Sequence, residues 1–195
     1  PSNTLIRAEV RLFNTDNNRV YRVIRDVPAF GRSGVYMSEF QLADDLTDTP
    51  EIFASIPNGV YGVTVVADGP LVAAQSTYDP SKRQATGTIG ADNLGTTAGI
   101  LPEGQFGQRN TTESVGILNS TSTATTVALT FSFQNGSSVR QEVQVPANSH
   151  RTFNVSSIPN FPTAQPYGIR YSSATPVSVN LNSPVSASGS NFSDA

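Results

Sequence analysis

His150 is the only histidine and there is no cysteine, so a zinc cluster built on imidazole and thiolate has no ligand set to draw on. A Ser-His-Asp hydrolase would need a strained nucleophile-elbow motif. That motif is absent, and His150, which follows Ser149 at the start of an expected strand, reads as a surface residue. Asp44, Asp45, Asp48 and Glu51 gather enough carboxylate oxygens to suggest weak calcium ligation. Their spacing lacks the EF-hand pattern, so the same residues also read as a solvated acidic loop. Asp26, Glu39, Glu103 and Glu113 are the remaining acids considered for paired-carboxylate glycoside chemistry, and no motif selects two of them. Tyr78 and Phe106 lie near expected loops, and such rings are candidate platforms for a sugar. Gly87, Gly90 and Gly95 lack the lysine and helix of a phosphate-binding loop. These residues therefore predict no catalytic site, no cofactor and no metal beyond weakly held calcium.

Composition narrows the classes further. The 195 residues carry a net charge of -3 with 14% charged residues, and Lys82 is the sole lysine. Such a chain lacks the basic footprint of a nucleic-acid binder. Arg7, Arg11, Arg19, Arg22 and Arg25 are diluted by Glu9, Asp16 and Asp26. No apolar run approaches the roughly 20 residues that a transmembrane helix requires. The polar surface comes from Ser, Thr, Asn and Gln, which suits a protein outside the cell. The chain begins at Pro1, which fits either removal of a signal peptide or a fragment boundary.

The elements that hold these residues are strands. Ile6, Ala8, Val10 and Leu12 alternate with Arg7, Glu9 and Arg11, the period of a half-buried strand. A turn at 14–18 and a second strand over 19–27 predict a hairpin. Further strands are expected at 33–40, 59–67, 71–77, 86–89, 97–101, 113–118, 125–133, 139–145, 149–155, 167–171 and 177–181. Asp68-Gly69-Pro70 and Ser172–Pro176 are read as hairpin turns, and Asn135-Gly136 is a strong turn signal.

The halves also match each other. Residues 11–37 align on 129–155 without a gap, placing Phe13 on Phe131 and Val27-Pro28-Ala29 on Val145-Pro146-Ala147. Farther on, Tyr61-Gly62-Val63 matches Tyr167-Gly168-Ile169, and Pro70 matches Pro176. Sheets with one apolar face must cover it, and without amphipathic helices another sheet does so. The expectation is an all-β chain of two tandem antiparallel sandwich modules, residues 1–95 and 96–184, with a polar tail at 185–195. The first module lacks the strand that opens the second. A C-terminal segment, a neighbouring molecule or residues outside this chain could supply it.

The stretch 114–131, the step Val143–Ser149, and Gly168–Tyr171 with Thr175-Pro176-Val177 resemble immunoglobulin-like and fibronectin-like repeats of bacterial surface and secreted proteins. That resemblance implies an extracellular or cell-surface structural or assembly protein without catalysis, such as a surface-layer, filament or adhesive-stalk subunit. Its implied partners are further copies of itself or other surface components. A non-catalytic carbohydrate-binding protein, with polysaccharide as partner, is the alternative.

Overall fold

The computed structural model describes residues 2–42, 56–79, 84–89, 95–104, 106–107 and 113–182. The chain divides into two compact units, Pro1–Leu94 and Gly95–Ala195. Among the described residues every regular element is a strand, apart from two 3-10 turns at Met37–Glu39 and Val155–Ser157. All strand pairs are antiparallel.

The first unit contains β1 (Ile6–Asn14), β2 (Val20–Val27), β3 (Gln41–Leu42), β4 (Tyr61–Ala67), β5 (Ala74–Asp79) and β6 (Gln84–Ile89). One sheet has the order β3-β2-β1-β4, and β5 pairs with β6 alone. The expected hairpin across Asp68-Gly69-Pro70 does not form. β4 returns to β1, and β5 finds its partner downstream. One face of the larger sheet packs Leu12, Tyr21 and Phe40 with Val10, Val23, Val35, Leu42, Ile56 and Tyr61.

The second unit contains β7 (Thr96–Gly104), β8 (Ser114–Asn119), β9 (Thr125–Phe133), β10 (Ser138–Val145), β11 (Ser149–Asn154) and β12 (Tyr167–Asn182). β12 joins two sheets. Its first half lies between β9 and β7, and its second half pairs with β8, which in turn pairs with β11. The expected turn at 172–176 is thus a bend within one strand. Tyr167, Ile169, Tyr171 and Val177 are all buried, so the same parity faces inward on both sides of the bend. Between the sheets lie Val115, Ile117, Val127, Leu129, Phe131, Phe133, Val145, Val155, Ile158 and Phe161. This is a closed sandwich core.

The repeat survives with one correction. The hairpin β1–β2 matches β9–β10, and the two 3-10 turns fall at matching places. Phe131 pairs with Val139 and Ile169, whereas Leu12 pairs with Tyr21 and Val63. Since Tyr21 and Val63 are the counterparts of Val139 and Ile169, the counterpart of Phe131 is Leu12 rather than Phe13. A slip of one residue moves a side chain to the opposite face. Phe13 is accordingly buried on the other side of its sheet from Leu12.

The expected strand at 33–40 is irregular backbone ending in the 3-10 turn. Its counterpart β11 is a strand because β8 pairs with it. Among the described residues the first unit has no equivalent of β8, so this segment has no ladder to join. Among the described residues the large apolar side chains exposed in the first unit are Leu5, Ile24, Phe30, Tyr36, Met37, Val60, Val63, Val66 and Val72, and in the second Ile100.

Glycine is required where a tyrosine lies across β7. A Cβ at Gly104 would fall within contact distance of Cζ, Cε2 and Oη of Tyr167. That ring cannot retreat, because it packs edge-on against Phe131 and Phe161 and donates its hydroxyl proton to Glu113. Gly104→Ala is expected to cost about 1–3 kcal/mol, the usual range for overpacking a core. Gly34→Ala, where an added Cβ meets nothing within 4 Å, serves as the control. Urea midpoints that coincide for the two variants would contradict this account of β7.

Candidate functional site

The second unit has polar chemistry at the seam where the edge strands β10 and β11 approach each other. Arg151 sits opposite Ile117, which is fully buried. Directly paired residues project to the same face, so Arg151 leaves β11 on the inward side. It is in phase with Phe153, which packs on the core. At an open edge this parity carries the guanidinium into a groove, and Ala124, Thr125, Thr126, Gln144, Val145 and Pro146 form the other walls. Arginine tolerates such a position because its stem can lie on apolar surface while its head stays wet.

The wall opposite Arg151 is rigid. Asn119 is fully buried, and its Nδ2 donates to the carbonyls of Thr123 at 2.8 Å, Pro146 at 2.9 Å and Val145 at 3.4 Å. Its Oδ1 accepts from Thr121 N at 3.0 Å and Thr121 Oγ1 at 2.7 Å. Ser149 Oγ adds a bond to Pro146 O at 2.8 Å. These bonds clamp the turn after β8 to the end of β10. Thr125 begins the inward-facing series of β9 and is 7% exposed. Its buried Oγ1 has no hydrogen-bond partner among the described residues.

His150 is buried, not a surface residue as its sequence position suggests. It pairs with Leu118 on the outer face of β8, and its Nε2 would lie 3.1 Å from a Cβ placed at Gly116. Burial penalises the imidazolium and holds its pKa down at about 4. Across the core, the Tyr167 hydroxyl donates to Glu113, a carboxylate that is itself buried. Burial first, then the Glu113 carboxylate, push the Tyr167 pKa far up, so the phenol stays protonated.

In the first unit a polar groove is lined by Arg7, Ile24, Arg25, Asp26 and Ser33. Arg25 is ion-paired with Glu39. The Tyr36 amide and then Arg25 lower the Glu39 pKa. Arg11 likewise bonds Glu9 at 2.9 Å.

The residues singled out in the sequence do not converge. Asp44, Asp45, Asp48 and Glu51 lie outside the described residues. Tyr78 is on β5, with a side chain outside them as well. Phe106 is half-buried and meets Phe161 edge-on at 6.1 Å between ring centroids, as part of the core margin. Glu39 and Glu113 are committed to Arg25 and Tyr167 respectively. Among the described residues no group of three histidines or acids is arranged to hold a metal. Also among them, no helix is long and apolar enough to cross a membrane. Sequence reading passed over Arg151 and Thr125. Their parity with Phe153 and Val127 was the signal that could have found them.

Comparison with known proteins bears on the same unit. The family described as the Anabaena sensory rhodopsin transducer matches residues 89–187. No curated protein matches the chain. A solved structure titled Anabaena sensory rhodopsin transducer is 20% identical, covers 49% of this chain and 95% of its own, and has a TM-score of 0.43. The crystal structure of Thermotoga maritima 1070 is 23% identical, covers 45% of this chain and 78% of its own, and has a TM-score of 0.42.

The family match corrects the functional expectations. A chain whose family is that of a sensory rhodopsin transducer is not read as a surface-layer, filament or adhesive-stalk subunit. The extracellular or cell-surface placement falls with that reading. So do partnership through self-association or surface components and the alternative of a polysaccharide-binding protein. The expectation erred because neutral, Thr- and Ser-rich strands reflect two-sheet packing wherever a sandwich works. The β-rich fold stands, while the immunoglobulin-like repeat family is not the one found.

Proposed function

The chain belongs to the Anabaena sensory rhodopsin transducer family, and on that premise we propose that it is a non-catalytic transducer that binds a sensory rhodopsin and relays its state. The supporting observation is the family match over residues 89–187, which spans every strand of the closed sandwich. A rhodopsin is a membrane protein, so its transducer docks from the aqueous side. A sandwich with a dry core and clamped edges suits that task, since preorganised surfaces lose little ordering entropy on binding. Relay requires differential binding, because a ligand shifts an equilibrium only by its preference between two states. For this transducer the two states are the dark and illuminated receptor.

The non-catalytic character is part of the same reading. The only histidine is buried with a depressed pKa, and the buried carboxylate Glu113 is held by a tyrosine. The test is capture of the full 195-residue chain by nanodiscs that carry a sensory rhodopsin of the Anabaena type. Saturable capture by loaded discs and none by empty discs is expected. Equal capture by both would overturn the proposal.

A further inference from the structure

We propose that the groove at the β10–β11 seam of the second unit is a carboxylate-binding site centred on Arg151. Arg151 is the single cation among the described residues lining the groove, and no acid lines it with Arg151. Among the described residues no ion pair or hydrogen bond engages its guanidinium, unlike Arg11, Arg25 and Arg140 with Glu9, Glu39 and Glu142. A guanidinium fork left open matches the two oxygens of a carboxylate.

The second observation is independent. Thr125 is more than nine-tenths buried at the inner wall, and its hydroxyl has no partner among the described residues. An unpaired buried hydroxyl costs stability, and Thr125 is one of the residues that line the groove. Gln144 and Thr126, both neutral, also line the groove. The Asn119 clamp described above holds the wall in place before any ligand arrives.

The charge count selects the ligand class. One guanidinium with neutral donors balances a single negative charge. A phosphate carries more charge than one cation offsets, and no second lysine or arginine lines the groove among the described residues. The carboxylate could arrive on a small diffusible acid or on an acidic side chain of a protein. The chemistry at Arg151 is the same in both cases. This site does not depend on the receptor reading.

The test is a titration of the 15N-labelled full chain followed by amide shifts, with three probes: sodium succinate, a blocked Asp-Glu dipeptide and neutral succinamide. Shifts confined to residues 124–126, 144–146 and 151, saturating with one of the acids and absent with succinamide, are expected. Tighter binding of succinate assigns a diffusible acid, and tighter binding of the dipeptide assigns an acidic segment. Arg151→Gln should abolish saturation, and Arg151→Lys should weaken it severalfold. Thr125→Val should weaken it severalfold while leaving the melting temperature equal or higher, which separates lost binding from lost folding. Arg140→Gln should change nothing. Shifts spread over all arginines, or unchanged saturation in Arg151→Gln, would overturn the proposal.

Discussion

Replacing Phe131 by alanine lowers the stability of the second unit by about 3–5 kcal/mol, the range for truncating a fully buried aromatic. Phe131 is 0% exposed and meets Phe161 and Tyr167 edge-on at 5.2 and 5.5 Å between centroids. Those two rings also meet each other at 5.2 Å. Removing one ring leaves a cavity whose walls are held by β9, β12 and the loop carrying Phe161, so collapse into it is limited. Phe131→Leu keeps most of the volume and should lose much less. Urea unfolding followed by near-ultraviolet circular dichroism reads the difference. A loss below about 1 kcal/mol for the alanine variant, less than even a modest core truncation costs, would mean that the ring cluster is not the centre of this core.

Acidification from pH 6.5 to 4 removes roughly 3 kcal/mol through His150 alone, at about 1.4 kcal/mol for each unit of pKa difference. The sign follows from the direction of the shift. The folded pKa is lowered from 6.5 to about 4, so within that window the unfolded chain binds the proton and the folded chain does not. Stability therefore falls as pH drops through the window, and levels off below it with respect to this group. The described neighbours on the same sheet face are Leu118, Gly116, Thr152, Ser178 and Asn180, none of them ionisable. Carboxylates such as Glu9, whose pKa is lowered by its bond to Arg11, act at lower pH. The difference between the natural chain and His150→Asn isolates the histidine. Equal slopes for the two between pH 4 and 6.5 would show that the imidazole is charged in the folded protein.

Much of the sandwich was legible because burial follows strand parity. Val127, Leu129, Phe131 and Phe133 alternate in sequence and are all buried in one core. That the described residues of the first unit hold no counterpart of β8 was legible too, from the absence of any match to 113–118. The partner of each strand was not. Asp68-Gly69-Pro70 has the composition of a hairpin turn, yet β5 pairs with β6, because pairing depends on which edges are free rather than on the turn alone. The bend in β12 was read as a turn for a related reason. Ser172–Pro176 has turn residues, and only the presence of two sheets makes it a crossing. Register was illegible at one point, where matching Phe13 with Phe131 looked better than matching Leu12 with it. The groove needed both parity and edge position, since Arg151 is unusual only because it points inward at an open edge. Function was least legible, as solubility and strand composition carry no information about a binding partner.

The transducer assignment is tested most directly by titrating the full chain against a sensory rhodopsin of the Anabaena type in lipid nanodiscs, in darkness and under steady light. The account predicts saturable binding whose affinity changes severalfold on illumination; a tenfold change corresponds to about 1.4 kcal/mol. No binding in either state, or an affinity unaltered by light and matched by empty discs, would contradict it.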